Sequence, residues 1–239
     1  MSLPRFILPD FANQLENASL SLGAEQTKRV AALRLAPGDS LEALLPGGLW
    51  RAELIGLSRG GAAIRLVCPV SENREAPIEI HACLPITAQL SLWDDFLPGV
   101  VELGAALIQP IIYERSQYDK RGFSARLARW RKIILAACEQ SHRTRVPELL
   151  SPIPLEALQS WGVKQRWAAY EVKTGEPNPE LALEDIAFTH GPEGGVADRE
   201  IDLLRQSGWK PLCFGKSILR AVTCPAAILG AVQAELGRL

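Results

Sequence analysis

Two short apolar runs in the C-terminal part of the chain carry the residues best suited to gripping a ligand. The first reads Ala187-Phe188-Thr189-His190 and turns through Gly191-Pro192-Glu193-Gly194-Gly195. The second reads Leu212-Cys213-Phe214 and turns through Gly215 toward Ile218-Leu219-Arg220. Glycine lets the backbone bend sharply and lets a flat group approach exposed N–H and C=O groups. Neither turn is a phosphate loop, because GxxxxGK[ST] and GxGxxG are both missing. Glu193 would also repel a phosphate, so a neutral or cationic ligand suits the first turn better; a plain strand-to-helix turn is the alternative.

A second group of candidates is cationic. Between Arg115 and Arg145 there are nine Lys or Arg residues against two acids, Asp119 and Glu139, in a chain of net charge −1. Segregated charge of this kind suits a polyanion such as RNA, and a solvated helix face is the other explanation. The stretch Cys138-Glu139-Gln140-Ser141-His142-Arg143-Thr144-Arg145 ends the region. Its polar groups either answer a helix dipole or form a rim for a base or phosphate. His81, His142 and His190 lack metal-ligand spacing, no CxxC pair exists, and no GxSxG elbow marks a nucleophile. The five cysteines read as small buried residues in a reducing compartment.

The elements that must position these residues form two blocks. A chain of 239 residues that is 47% hydrophobic can hold one small and one medium domain. Residues 1–72 alternate short β-like runs (Arg5–Leu8, Ser40–Leu44, Trp50–Leu57, Ala62–Val67) with Pro/Gly turns, and one helix is predicted over Ala24–Leu35. This pattern reads as a small β-barrel or sandwich. Residues 73–239 alternate strands with helices, as a parallel α/β sheet does. Strands are predicted at Ile78–Leu84, Ala106–Tyr113, Trp167–Val172, Glu184–Thr189 and Pro211–Phe214. Helices are predicted at Asp94–Leu103, Ser124–Ser141, Asp198–Ser207 and Pro225–Leu236. The N-terminus lacks a signal-peptide core, and Leu97–Tyr113 is too broken by Glu102 and prolines to span a membrane, so a soluble cytoplasmic protein is expected.

LRLAPGD (from Leu33), VELGAALIQPIIYERS (from Val101), ILAACEQSHRTRVPEL (from Ile134), GPEGG and FGKSILR occur in this order across nearly the whole chain. In this combination the sequence resembles the RsmE-type family of ribosomal RNA uridine-N3 methyltransferases. The resemblance implies an N-terminal PUA-like β-barrel that helps bind RNA and a C-terminal SPOUT-class α/β domain with a trefoil knot. It further implies S-adenosylmethionine as methyl donor, small-subunit ribosomal RNA as substrate, a homodimer, and no metal. Phe188, Gly191, Gly195, Phe214, Gly215, Ile218 and Leu219 would then hold the cofactor. Arg220 and Arg143 would stabilise an anionic base, with Glu139 as a proton acceptor. Arg34, Arg115, Arg121, Arg143 and Arg145 would contact RNA.

The chain departs from the family pattern at several places. Ser217 and Val222 stand where the family has arginine and glutamate, and His190 replaces an isoleucine before GPEGG. Ala197 replaces a serine or threonine cap, which would leave Glu200 without its partner, although Asp198 could cap one residue later. Leu84–Gln89 lacks the usual lysines, and Thr27-Lys28 lies where the first domain normally has a histidine. These departures motivate a second reading, a divergent, non-catalytic RNA-binding or ribosome-assembly paralogue on the same fold.

Overall fold

The computed structural model describes residues 3–11, 15–58, 60–170, 178–215 and 218–238. The chain divides into two units, one of residues 1–74 with 138–144, the other of residues 75–137 with 145–239.

The first unit contains β1 (Arg5–Ile7), β2 (Ser19–Leu22), α1 (Ala24–Ala32), β3 (Ser40–Leu45), β4 (Gly48–Ser58) and β5 (Gly61–Pro69). They form one sheet in the order β1-β3-β4-β5-β2, antiparallel except for β1 on β3. Phe6, Leu20, Leu22, Leu41, Leu54, Ile64 and Leu66 make its core, and α1 adds Val30. The sequence reading lacks β2, although its Ser-Leu-Ser-Leu alternation buries both leucines and exposes both serines, a period-two signal. Helix α1 stops at Ala32 rather than Leu35 because Arg34 takes φ 56, in the left-handed region.

Arg5 is wholly buried in this unit and its charge is fully engaged. It donates to Glu42 from Nε (3.0 Å) and Nη2 (2.7 Å), and from Nη1 to the carbonyls of His142 and, at 2.9 Å, Arg143. A buried guanidinium is tolerated only with such partners, and here they anchor the segment 138–144.

The second unit contains β6 (Ile80–Pro85), α2 (Leu92–Glu102), β7 (Leu107–Ile112) and the start of α3 (Lys120–Gln140). After these come β8 (Glu148–Leu149), β9 (Ile153–Pro154), a 3₁₀ segment (Leu155–Ser160), β10 (Gln165–Ala169), β11 (Ile186–His190), α4 (Asp198–Gln206), β12 (Lys210–Leu212) and α5 (Cys224–Glu235). Every strand pair is parallel, in the order β12-β10-β11-β6-β7-β8, with β9 also on β7. The mixed α/β class expected from the sequence is therefore present. The central strand β11 is buried along its whole length, as a strand covered on both faces must be.

Helix α3 begins four residues before the predicted Ser124 because Asp119 caps it, accepting from the N–H groups of Arg121 (3.1 Å) and Gly122 (2.9 Å). It locks onto α2 through an aromatic cluster. The Trp130 ring lies 5.0 Å from Trp93 and 4.8 Å from Phe123, and its Nε1 donates to Asp94 at 3.0 Å. Removing such a side chain costs about 3–5 kcal/mol. All five cysteines are free. Cys83, Cys138 and Cys224 are buried as expected, but Cys213 is half-buried and Cys68 is exposed on β5, because the register shift opposite Arg51 and Ala52 interrupts the alternation that buries Ala62, Ile64 and Leu66. Among the described residues no helix is long and apolar enough to cross a membrane.

Candidate cofactor-binding site

Strand register brings the two glycine turns to one edge of the sheet. Ala169 ends β10 and pairs with His190, the end of β11, on one side. On its other side it pairs with Leu212, the end of β12. Three parallel neighbours thus stop at the same level, and the chain leaves each at the carboxyl edge, where open α/β sheets build ligand crevices. The observed β10 is shifted toward its N-terminus relative to Trp167–Val172, and residue 172 lies outside the described residues.

The first turn is tightly built. Gly195 donates to the Pro192 carbonyl at 2.9 Å with φ 77, which glycine alone adopts at no cost. A Cβ on Gly191 would lie 2.7 Å from Val196, so the chain folds back on itself there. Arg115 donates from Nη1 to the Gly194 carbonyl at 2.9 Å. The Ala88 N–H donates to Glu193 at 3.4 Å. Phe188 is buried in β11 between Trp167 and Ala82, so its side chain belongs to the core under this edge.

Ala197 does not leave Glu200 idle. Ala197 is the N-cap of α4 and has no hydroxyl, yet the buried Glu200 carboxylate accepts its N–H at 2.9 Å and the N–H of Glu114 at 2.6 Å. Half of a capping box thus persists, with its second partner supplied by the segment after β7. Arg199 adds an exposed bond to the Glu114 carboxylate.

The second turn is more open. Asn178 binds both polar groups of the Cys213 backbone, accepting its N–H at 2.7 Å and donating to its carbonyl at 2.8 Å. This diverts Cys213 from the ladder and ends β12 at Leu212 rather than the predicted Phe214. Gly215 has φ 66, and a Cβ there would meet nothing within 4 Å. Phe214 and Leu219 are half-buried, Ile218 is 78% exposed, and Ser217 lies outside the described residues. Arg220 is exposed and its carbonyl accepts from Thr223 and Cys224 at the start of α5. Val222 is half-buried beside it. Half-buried Phe214 and Leu219 and exposed Ile218, close in sequence to an open left-handed glycine, fit a flat, partly apolar ligand such as S-adenosylmethionine.

His190 sits at the root of the first turn and is 2% exposed. Its Nδ1 donates to the Gly191 carbonyl at 3.0 Å, which leaves Nε2 as an acceptor, with no partner among the described residues. Burial lowers its pKa to about 4, so the ring is neutral near pH 7. On the opposite face of β11, Thr189 hydrogen-bonds the buried Tyr113 hydroxyl at 2.7 Å, and burial raises the tyrosine pKa.

The cations divide by environment. Arg145 pairs with Glu79 at 2.6 Å and Arg129 with Asp94 at 2.8 Å, so acids from the rest of the second unit interleave with the basic run. Arg121 is exposed on the first turn of α3, and Arg34 is exposed in the first unit. Arg143 is buried within the first unit. Glu139, also in that unit, forms an ion pair with Arg29 and accepts the Ile7 N–H at 3.0 Å. Among the described residues no group of His, Cys, Asp and Glu could hold a metal ion. Asn178 escaped the sequence reading, since a lone Asn in a Pro-rich stretch carries no periodic signal.

A parallel α/β domain with two glycine turns at its carboxyl edge has the form of a ligand-binding α/β domain, and the RNA methyltransferase domain family matches residues 74–233. The chain is 33% identical over 218 residues to ribosomal RNA small subunit methyltransferase E of Synechocystis sp., covering 85% of this chain and 69% of that one. It is 27% identical to the Bacillus subtilis protein of the same name, over 99% of both chains. Among solved structures, ribosomal RNA small subunit methyltransferase E from Neisseria gonorrhoeae, bound to S-adenosyl methionine, superposes with a TM-score of 0.86 at 29% identity, over 97% of both chains. A methyltransferase from Legionella pneumophila in complex with the same cofactor gives 0.86 at 27%, over 98% of both. The chain belongs to the ribosomal RNA small subunit methyltransferase E family.

Proposed function

We propose that this protein transfers a methyl group from S-adenosylmethionine to N3 of a uridine in small-subunit ribosomal RNA, acting in the cytoplasm as a homodimer. The observation that carries the reading is the common ending of β10, β11 and β12, which sets both glycine turns on one edge of a domain of this family. The cofactor supplies an electrophilic methyl on a sulfonium cation. Gly191, Gly195 and Gly215 would admit it closely, while Phe214, Ile218 and Leu219 would cover its apolar parts. The trefoil knot of SPOUT enzymes and the PUA-like role of the first unit belong to the same proposal.

Uridine N3 lies on the Watson–Crick edge, so the target base must be unpaired or swung out. Its N–H proton must leave as the methyl arrives, and negative charge develops on the ring. Arg220, exposed and fixed at the start of α5, is the cation proposed to stabilise that charge. Arg34 and Arg121, each exposed in its own unit, are proposed to meet phosphates; Arg143 is buried and Arg145 is paired with Glu79.

Calorimetry with S-adenosylmethionine tests the first half of the reading, and nucleoside mass spectrometry of ribosomal RNA from a deletion strain tests the second. Binding, and loss of N3-methyluridine in the deletion strain, are expected. An absence of heat at millimolar ligand would leave the non-catalytic RNA-binding reading standing alone.

A further inference from the structure

Arg115 sits in a basic run, yet its guanidinium is directed at the backbone of the first glycine turn. The peptide joining Gly194 to Gly195 is held at both ends. Its carbonyl accepts from Arg115 Nη1 at 2.9 Å, and its N–H donates to Pro192 at 2.9 Å. A peptide between two glycines is otherwise the easiest in the chain to flip, because neither residue has a Cβ to resist. The contact is also close in backbone terms. A Cβ on Gly194 would lie 3.2 Å from the Arg115 Cβ and 3.7 Å from its carbonyl oxygen.

Arg115 is itself fixed by the helix that follows the turn. Glu200 on α4 accepts the N–H of the preceding residue, Glu114, at 2.6 Å, and Arg199 donates to the Glu114 carboxylate at 2.7 Å. Ser116, the next residue, donates to the Ile86 carbonyl at 2.8 Å. The turn, α4, the 114–116 segment and Arg115 therefore close a ring of hydrogen bonds, with Arg115 as its last link.

We propose that Arg115 is a positioning residue for the cofactor turn rather than an RNA contact. It locks the Gly194–Gly195 peptide in the orientation that shapes the crevice for the methyl donor. The inference rests on the reading of this edge as the S-adenosylmethionine site.

The test compares full-length wild type, Arg115→Ala, Gly194→Ala and the double variant. Affinity for S-adenosylmethionine is measured by calorimetry. Affinity for a small-subunit ribosomal RNA fragment bearing an unpaired uridine is measured by fluorescence anisotropy at several salt concentrations. Arg115→Ala is expected to weaken cofactor binding about tenfold, the scale of one lost charge-assisted hydrogen bond. Its RNA affinity and salt slope should match wild type. Gly194→Ala, which pushes on Arg115 without altering any charge, should weaken cofactor binding by a similar factor, and the two losses should not add in the double variant. In turnover, KM for the cofactor should rise while KM for RNA holds.

A fall in RNA affinity, with a salt slope reduced by about one and cofactor affinity unchanged, would make Arg115 a phosphate contact and overturn the proposal. Cofactor affinity equal to wild type in both single variants would overturn it as well. If wild type itself gives no heat with the cofactor, the underlying functional reading fails, an outcome distinct from either of these.

Discussion

Asn178 holds Cys213 by both polar groups of its backbone, at 2.7 Å and 2.8 Å, and so pins the start of the second glycine turn to the segment that follows β10. A side-chain amide is the one neutral group that can donate and accept in this side-by-side fashion. Asp could accept but not donate, and its second oxygen would face the Cys213 carbonyl. Asn178→Asp and Asn178→Ala are therefore both expected to weaken S-adenosylmethionine binding by about tenfold, from bonds worth about 1 kcal/mol each. The residue is exposed, so water replaces part of the lost bonding and the melting temperature should fall by no more than about 4–8 °C. Cofactor affinity unchanged in both variants would show that this clamp does not shape the turn.

Glu200 is the buried counterpart of that clamp on the first turn. Replacing it with Ala strands the N–H groups of Ala197 and Glu114, at about 1–3 kcal/mol for each orphaned donor. For a chain of this size the two together correspond to a fall in melting temperature of about 4–24 °C, since 1 kcal/mol shifts it by about 2–4 °C. Glu200→Gln keeps one acceptor and should lose about half as much. A thermal melt of the three proteins checks this, and equal melting temperatures would refute the assigned role of the carboxylate.

The sequence made this part of the molecule legible to different depths. Both glycine turns, the strands leading into them and the helices beyond are readable because apolar runs and Gly/Pro punctuation act locally. Edge and side-chain devices are not. β2 hides because its alternation runs for only four residues, and β8 and β9 are only two residues each. Asn178 and Arg115 act on backbone groups far away in sequence, so no local pattern announces them. Glu200 was visible as a lone half of a capping motif, but its second partner, the Glu114 N–H, exists only once β7 lies beside β11's neighbours in the sheet. Charge counting also misled in part, since Asp94 and Glu79 reach the basic run from other elements.

His190 gives the second unit a definite pH response. Its pKa in the folded chain, about 4, lies below the 6.5 of an exposed imidazole. Between those values the unfolded chain binds a proton that the native chain refuses. Stability therefore falls as pH drops from 6.5 toward 4, by about 3 kcal/mol in all, because each tenfold difference in proton affinity between the two states is worth about 1.4 kcal/mol. His190→Ile removes both the titration and the unpartnered Nε2. Chemical denaturation at pH 7.5 and pH 5 should show the variant losing less stability than wild type between the two. An identical acid-side loss in both proteins would mean that this ring does not govern the response.

Glu139 is the residue whose chemistry the structure most changes. The sequence offers it as a proton acceptor, but its carboxylate is paired with Arg29 and accepts the N–H of Ile7, all within the first unit. Burial lowers the pKa of Arg29, and the Glu139 carboxylate offsets the cost of placing that charge there. A carboxylate so engaged braces β1 and α1. Glu139→Ala should then destabilise the first unit by about 2 kcal/mol, the scale of a lost bond to a charged group. Glu139→Gln should lose less, because its amide oxygen still accepts from Ile7. In single-turnover methyl transfer at a temperature where all three proteins are folded, the rate and its pH profile should coincide with wild type. A variant that melts normally but has lost the pH-dependent limb of the transfer rate would restore Glu139 to the role of base, because bracing alone leaves a folded enzyme's proton chemistry untouched.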